Sequence, residues 1–293
     1  MKKIFKLILV ALLVYAVLLF AFLPRYIISD ATVELREDDD SIVIMSTNLR
    51  CLMPNEFLQK SWFYRADLIS KDINSVKPDI IGFQEATAVH YDYLEDFLEG
   101  YDSEIAYRDN TLLSEGCPIF YRTDKFEKVD SGHFWLSQTP DVMSKDWGSA
   151  HYRICIYVIL KDVASGKEFV VFNTHLDHKS TEARVNGIQV VVDKIAEFGN
   201  IPAYLMGDLN ATEDSDTIEF TKESFDDAMR VAPVSEETAT YHNWGNDEAS
   251  KRIDYIMISK TGIEILEYHV LDNCYDGAYS SDHASIYVIT KLK

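Results

Sequence analysis

Polar side chains lie at the ends of apolar segments in several parts of the chain. Each segment is typical of a short buried strand. The residues at or near these ends are Asn48 after SIVIMST, Glu85 after DIIGFQ, His175 after EFVVFNT, Asp208 and Asn210 after PAYLMG, Asp254 within RIDYIMIS, and Asp282 and His283 before SIYVIT. A single carboxylate in such a position is usually a turn residue or a helix cap. Because the pattern recurs, it indicates one shared site instead.

The residue types in this set are those that hydrolysis of a phosphate ester needs. That reaction requires groups that neutralise charge on the phosphoryl oxygens, orient a water molecule in line with phosphorus and stabilise the leaving oxygen. Carboxylate and amide oxygens suit a hard divalent cation, and histidine can donate to a phosphoryl oxygen. The set is therefore suited to metal-assisted chemistry at phosphorus.

The elements that would position these residues alternate between short apolar runs and amphipathic runs. The predicted strands are SIVIMSTNL, DIIGFQEA, CPIFYR, RICIYVILKD, EFVVFNTH, residues 202–207, RIDYIMIS, ILEYHVL and SIYVIT, and the predicted helices are residues 57–76, 88–98 and 181–198. Strands recur in both halves, with helices between some of them. This order predicts two mixed or antiparallel sheets packed face to face with helices outside.

The motifs of this chain resemble those of the endonuclease/exonuclease/phosphatase family. The resemblance is carried, in order along the chain, by Asn48, Gln84-Glu85, Thr174-His175-Leu176, Gly207-Asp208-Leu209-Asn210, Arg252-Ile253-Asp254-Tyr255 and Ser281-Asp282-His283. The neighbouring strings EGCPIFYR, FNTHLDH and TYHNW are similar to a little-characterised secreted or membrane-anchored branch of that family. The resemblance implies a DNase I-like fold of the α/β (α+β) class, a four-layered sandwich of two mixed β-sheets flanked by helices.

The resemblance also implies a role for each motif residue. Glu85 is the best single candidate to hold Mg²⁺, with Mn²⁺ or Ca²⁺ as alternatives, and Asn48 and Asp282 would complete the protein ligands. Asp208 would position or deprotonate the attacking water, and Asn210 would hold the phosphate or that water.

The two motif histidines would contact the phosphoryl group. His283 would donate to a non-bridging oxygen, with Asp254 accepting from its other ring nitrogen and so fixing the tautomer. His175 would be a second donor to the phosphate.

Four further residues are candidates for binding substrate. Arg50 stands where some family members carry an acid two residues after the first Asn, which could reduce a second metal site or supply a phosphate contact. Glu115, Arg153 and His242 lie in the branch-specific strings, where pocket roles compete with roles in packing or loops.

The balance of acidic and basic residues in the chain indicates which class of substrate it can bind. Acidic residues outnumber basic ones by 48 to 28, which gives a formal net charge of −20. Such a field repels long polyanions, so we expect a small-molecule or lipid-headgroup phosphate ester rather than a long nucleic acid. The sequence indicates no protein partner.

Residues 7–23 form an uninterrupted apolar run that follows Lys2, Lys3 and Lys6. The length is at the short end for a membrane-spanning helix, and basic residues on the N-terminal side favour that end staying in the cytoplasm. We therefore expect a membrane anchor or signal segment in residues 1–30, a linker in 31–41 and one catalytic domain in 42–293. The domain would lie outside the membrane, anchored to it or, as the alternative, secreted after signal cleavage.

Three functions compete on this sequence. The leading one is a phosphodiesterase or phosphatase, a divalent-metal-dependent phosphoric ester hydrolase. The alternative is an exported nuclease, either an endonuclease or a 3′–5′ exonuclease, because one fold serves many substrates. A non-catalytic binding protein on the same fold is the remaining alternative, and the presence of both motif histidines and all the key carboxylates argues against it.

Overall fold

The computed structural model describes residues 2–27, 31–37, 40–53, 55–199 and 201–293, with side chains described from residue 3 to 17 in the first segment. Two mixed sheets pack face to face with helices outside, as the sequence predicts. The helices are α1 (Lys2–Ile27), α2 (Trp62–Val76), α3 (Ala88–Phe97), α4 (Thr181–Glu197), α5 (Asp216–Ser224) and α6 (Ala228–Val231). The strands are β1 (Ile42–Asn48), β2 (Ile80–Gln84), β3 (Tyr101–Glu104), β4 (Ile119–Arg122), β5 (Phe126–Trp135), β6 (Ile154–Asp162), β7 (Glu168–His175), β8 (Ala203–Asp208), β9 (Phe225–Asp227), β10 (Val234–Ser235), β11 (Asp254–Ser259), β12 (Ile263–Val270), β13 (Cys274–Tyr275), β14 (Ala278–Tyr279) and β15 (Ile286–Leu292).

The first sheet has seven strands in the order β10-β12-β15-β1-β2-β4-β3. Its centre is β1, which pairs parallel with β2 and antiparallel with β15. The parallel register sets Asn48 beside Gln84, so β1 and β2 finish at the same edge of the sheet.

The second sheet has six strands in the order β5-β6-β7-β8-β11-β9. Strands β7 and β8 are parallel, and β11 runs antiparallel to β8. The ends of β7 and β8 therefore lie together with the start of β11 at one edge.

The apolar core fills three interfaces, which explains the continuous hydrophobic runs in the strands. Along β8, Tyr204 and Met206 pack between the two sheets, whereas Ala203 and Leu205 pack under the outer helices. The outer face of the first sheet is covered by α2 and α3 through a separate cluster that includes Trp62. Because successive side chains of a strand point to opposite faces, a strand buried on both faces must be apolar throughout. The four layers expected from the resemblance are confirmed.

The short elements β3, β9, β10, β13, β14, α5 and α6 were not predicted, and two longer elements, α2 and β5, also differ from the sequence prediction. The helix expected at residues 57–76 begins only at Trp62, because Leu58 has a φ of 54° and residues 58–60 form a single 3-10 turn. Strand β5 was not predicted, because its sequence mixes polar and apolar residues and its pairing with β6 shifts register between Lys128 and Asp130. A register shift interrupts the alternation that marks a strand in a sequence.

The N-terminal apolar run lies within α1. In the part of the chain that the structure describes, no helix is long and apolar enough to cross a membrane, so the transmembrane helix predicted at residues 7–23 is not supported. Residues 31–37 have no helix or strand and lie against the domain. There the amide of Glu34 donates to Asn74 Oδ1 at 2.8 Å, and the Arg36 guanidinium contacts Asp79 Oδ2 at 3.1 Å.

Gly207 provides a test of how β7 and β8 are held together. Its φ is +140°, and a Cβ built there would lie 1.9 Å from the carbonyl oxygen of Thr174 on the neighbouring strand. We expect Gly207→Ala to lower the free energy of unfolding by about 3 kcal/mol or more, because two backbones would have to separate. Gly166→Ala is the control, since Gly166 also has a positive φ but meets nothing within 4 Å. It should cost only about 1 kcal/mol in denaturant unfolding, and equal losses in the two variants would contradict this account.

Candidate functional site

The two sheets meet at the edge where their polar strand ends converge. The side chain of Gln84 at the end of β2 donates to Asn173 Oδ1 in β7 at 2.7 Å. Above this contact, Asn48 Nδ2 at the end of β1 donates to Asp208 Oδ2 at the end of β8 at 3.1 Å. The convergence predicted from the strand ends is therefore present, and it is stabilised by buried amide side chains.

The strand register of the second sheet aligns three of the predicted residues. Asp208 is paired with His175 on one side and with Asp254 on the other. Side chains that are directly opposite on paired strands lie about 4.5–5.5 Å apart at Cβ and share a face. Asp208 is therefore the central residue of the row.

The backbone turns sharply where the site residues leave their strands. Arg50, Glu85 and Asn210 all have positive φ values, of 58°, 60° and 48°. Non-glycine residues rarely adopt this left-handed conformation, which costs free energy and is concentrated at functional sites. The turns place these side chains at the edge instead of continuing the pleat of the strand.

Glu85 is a half-buried carboxylate held by neutral donors. Asn48 Nδ2 donates to Oε1 at 3.2 Å, and the amide of Cys51 donates to Oε2 at 2.6 Å. Burial opposes its charge, but the His175 and His283 rings, the Cys51 amide and the Arg50 guanidinium together hold the pKa of Glu85 below its ordinary value. Among the described residues Glu85 forms no ion pair with Lys or Arg.

The donor set around Glu85 fits a hard divalent cation. It consists of the carboxylates of Glu85 and Asp282, with oxygen atoms that Mg²⁺ and Ca²⁺ prefer, and of the Asn48 amide, whose Oδ1 here accepts from the Arg50 backbone N–H at 2.9 Å and would have to turn to bind the cation. A second group, formed by Asp208, Asp254 and His283, also has potential ligand atoms within 4.8 Å of one another. We favour the first set, because His283 and Asp254 are already bonded to each other, whereas Glu85 is a carboxylate without a cationic partner at ion-pair distance.

Asp208 is buried and receives hydrogen bonds from amides. Besides the bond from Asn48, its Oδ1 accepts from the backbone N–H of Asn210 at 2.9 Å. Burial and the neighbouring Asp254 carboxylate raise the pKa of Asp208 to about 7. A carboxylate with such a pKa can exchange protons with water near neutral pH.

His283 and Asp254 form a buried pair beside Asp208. His283 Nδ1 lies 2.9 Å from Asp254 Oδ2, and its Nε2 lies 3.9 Å from Asp208 Oδ2. Burial disfavours a charged ring, but the Asp254 carboxylate outweighs it and raises the pKa of His283 to about 10. Thr240 donates to the same Asp254 oxygen at 2.6 Å. His283 therefore carries a proton on Nε2 at neutral pH.

His175 lies on the other side of Asp208. Asn210 Nδ2 is 2.9 Å from His175 Nε2, and Asp208 Oδ2 is 3.4 Å from the same nitrogen. Burial and the nearby Arg153 guanidinium lower the pKa of His175 well below its ordinary value. The neutral ring accepts from Asn210 in this arrangement, so donation to a phosphate would require Asn210 to release it.

The four candidate substrate-binding residues occupy three places. Arg50 contacts Asp282 Oδ2 at 3.6 Å and Glu56 at 2.8 Å, at the side of the site where Glu85 lies. Glu115 and Arg153 line a pocket together with Glu85 and His175. His242 uses both ring nitrogens within the protein, at 3.1 Å to Asn273 Oδ1 and 3.1 Å to the amide of Gly245. The structure thus places His242 in the loop before β11, where its backbone N–H donates to the Asp282 carbonyl.

Three residues of the site were not identified from the sequence. Thr240 accepts the backbone N–H groups of Ile253 and Asp254 besides donating to Asp254, and the TYHNW string was the signal that could have indicated it. Arg108 lines the pocket and pairs with Glu115, but nothing in its neighbourhood in the sequence marks it. Arg65 is fully buried although it lies in the amphipathic helix α2, where an arginine is ordinarily exposed.

Solved structures similar to this chain share its whole domain. A crystal structure of an endonuclease/exonuclease/phosphatase from Bacteroides vulgatus is 31% identical, with a TM-score of 0.82, and the match covers 87% of this chain and 100% of that one. A mannosyl-6-phosphatase from Bacteroides thetaiotaomicron is 33% identical, with a TM-score of 0.78, over 84% of this chain and 98% of that one.

Curated relatives are more distant and longer. Protein angel of Drosophila melanogaster is 30% identical over 57% of this chain and 48% of its own length, and RNA exonuclease NGL1 of Saccharomyces cerevisiae is 24% identical over 55% and 58%. The match thus spans about half the length of these relatives. A family model described as the endonuclease/exonuclease/phosphatase family matches residues 45–283, which include every motif residue of the site. The chain belongs to the endonuclease/exonuclease/phosphatase family.

Proposed function

We propose that this protein is a divalent-metal-dependent hydrolase of phosphate esters, acting on a small-molecule or lipid-headgroup ester. The observation that carries the proposal is the position of Asp208, which lies between the Asn48–Glu85 pair and the His283–Asp254 pair. A candidate base, a proton donor and an oxygen ligand set are thereby next to one another, with Asp208 hydrogen-bonded to Asn48 and 3.9 Å from His283 Nε2.

In this proposal, each residue of the site has a separate role in hydrolysis. Asp208 orients the attacking water and accepts its proton, because its pKa of about 7 suits a base near neutral pH. His283 donates from Nε2 to a non-bridging phosphoryl oxygen, and Asp254 fixes the ring so that this nitrogen carries the proton. Asn210 and His175 bind the phosphoryl group from the opposite side of Asp208.

Glu85, Asn48 and Asp282 would hold the cation. When bound, it supplies positive charge that offsets the charge of the phosphoryl oxygens. Arg50 lies next to Asp282 and contributes a further positive charge at this side of the site.

Two features support a small substrate. The formal net charge of −20 opposes the approach of a long polyanion, and one similar solved structure is named as a mannosyl-6-phosphatase. A nuclease is the second candidate, because curated relatives include an RNA exonuclease and 3′–5′-exoribonuclease subunits. The location of the domain outside the membrane stays a prediction.

The metal requirement can be tested at Glu85. We expect Glu85→Gln to weaken Mg²⁺ binding about 10-fold or more, because the charge is lost while the shape is kept. Calorimetric titration with Mg²⁺ measures this, and Glu237→Gln, which removes an exposed acid paired with Arg230, is the matched control. Turnover of any ester should stop on chelation and return with Mg²⁺, Mn²⁺ or Ca²⁺. Unchanged turnover in excess chelator would remove the metal from the mechanism.

The roles of Asp208 and His283 predict separable effects on turnover and stability. Asp208→Asn and His283→Ala should each lower kcat by about 10² or more, because acid–base and electrostatic help are lost in the transition state. KM should change much less. Thermal melting and turnover are measured on the same samples. Variants that melt early yet turn over normally would show that these residues only stabilise the fold.

Substrate size can be tested by comparing kcat/KM across ester classes. The full chain with Mg²⁺ should act on sugar phosphates, lipid-headgroup esters or chromogenic esters roughly 10-fold or more better than on RNA and DNA oligonucleotides, because its charge repels polyanions. The preference should narrow at high salt, which screens that repulsion. A higher kcat/KM on oligonucleotides at low salt would favour the nuclease.

A further inference from the structure

Arg153 is a buried cation with weak partners in the wall of the catalytic pocket. It is 5% exposed and follows the loop that leads into β6. The one hydrogen bond of its side chain in the described part of the chain is long, 3.5 Å from Nη2 to His178 Nδ1, and its Nε has no hydrogen-bond partner. Burying a guanidinium without partners costs several kcal/mol, so its presence calls for a ligand or another explanation.

The acid nearest to Arg153 is occupied by other donors. Asp177 Oδ2 lies 3.9 Å from Arg153 Nε, beyond hydrogen-bond distance. The Asp177 carboxylate instead accepts from the backbone N–H groups of Ala150, Lys179 and Ser180, each at 2.9 Å, and from the Ser149 hydroxyl. Asp177 is therefore hydrogen-bonded to the two loops around it and acts on Arg153 through its charge alone, as Glu115 and Asp208 also do.

A second arginine lies in the same wall. Arg108 forms a two-pronged bond with Glu115, at 2.6 and 2.8 Å, and both residues line the pocket with Arg153, Glu85 and His175. Burial and the positive charge of Arg108 lower the pKa of Arg153. Two guanidinium groups this close repel each other, and an anion between them and the catalytic residues would offset the repulsion.

The two carboxylates that line the pocket, Glu85 and Glu115, have partners other than Arg153. Glu115 is neutralised by Arg108, and Glu85 faces the cation of the proposed function. The far wall is completed by Gly116, Cys117 and Ile154, and a Cβ on Gly116 would lie 2.6 Å from the carbonyl oxygen of Ala106. The backbone of Ala106 thus packs closely against Gly116 in this wall.

We propose that Arg153, supported by Arg108, holds the terminal oxygens of a phosphate monoester, so that monoesters rather than diesters are the substrates of this site. The inference rests on the proposed function. A monoester near neutral pH carries close to one more negative charge than a diester, and Arg153 supplies a matching charge.

The decisive test compares two esters with the same leaving group. Rates on 4-nitrophenyl phosphate and on methyl 4-nitrophenyl phosphate are measured for the full chain with Mg²⁺. The unchanged protein should prefer the monoester. Arg153→Gln should lower kcat/KM on the monoester about 10- to 100-fold, the value of lost hydrogen bonds to a charged group, and change the diester rate much less. Arg230→Gln removes an equal charge from an exposed arginine of α6 and should change neither rate.

Inorganic phosphate gives a readout that does not depend on turnover. Calorimetric titration should show phosphate binding about 10-fold or more weaker to Arg153→Gln, while the monoanion dimethyl phosphate binds both proteins with similar affinity. If Arg153→Gln fails to fold, Arg153→Lys replaces it, because it keeps the charge and loses the planar fork. The lysine variant should lose part of the monoester rate and keep the diester rate.

The outcomes separate the two proposals. If the unchanged protein hydrolyses no ester but binds phosphate through Arg153, the proposed function fails and the anion subsite stands. If esters are hydrolysed, equal losses of monoester and diester rates in the Arg153 variants, or a preference of the unchanged protein for the diester, would overturn the monoester assignment alone.

Discussion

Mutual repulsion among buried carboxylates is the constraint that organises this site. Glu85, Asp208, Asp254 and Asp282 all lie where the two sheets converge, and each needs compensation in a region of low dielectric. Asp254 has His283, and Asp282 has Arg50. The Asp208 carboxylate accepts hydrogen bonds from the amides of Asn48 and Asn210, and its raised pKa lowers the fraction that is charged near neutral pH. Glu85 accepts from the Asn48 side chain and the Cys51 amide and has no Lys or Arg at ion-pair distance in the described part of the chain, so it is the carboxylate best placed to bind an added cation.

Helix α2 provides the frame that holds these groups in place. The buried Arg65 donates from Nη1 to the carbonyls of Leu49 at 2.8 Å and Ser280 at 2.7 Å, which follow Asn48 and precede Asp282. Asp72, about two turns further along α2, accepts from the hydroxyls of Tyr275 and Ser280. The turn that follows Asn48 and the turn that precedes Asp282 are therefore fixed to the same helix. Because a buried arginine with several carbonyl partners is rigid, it fixes the spacing between these turns.

The sequence predicts well that the motif residues lie together, because each member stands at or near a strand end, a position that periodicity reveals without knowledge of the pairing. It could not predict contacts made across the two sheets, such as that of Asn48 with Asp208, because these depend on how the sheets stack. Arg108 and Arg153 are far apart in the sequence. They line the same pocket because the β3–β4 connection, which carries Arg108, meets the β5–β6 connection, which carries Arg153. The sequence left open whether His242 lies in the pocket or has a loop role, and its ring is bonded to Asn273 and the Gly245 amide.

Selectivity in such a site is expected to depend on groups outside the motif residues, because one fold serves many substrates. A protein that tracks a nucleic-acid strand needs a row of accessible cations, each free to contact a successive phosphate. The cations at this pocket are used differently. Arg50 is paired with Glu56 and Asp282, Arg108 is paired with Glu115, and Arg153 is buried. In the proposed function, positive charge enclosed in this way acts on one phosphoryl group that enters the pocket, and the net charge of −20 acts against the approach of a longer polyanion. Both effects support the proposed substrate, a compact phosphate ester whose charge is concentrated at one end.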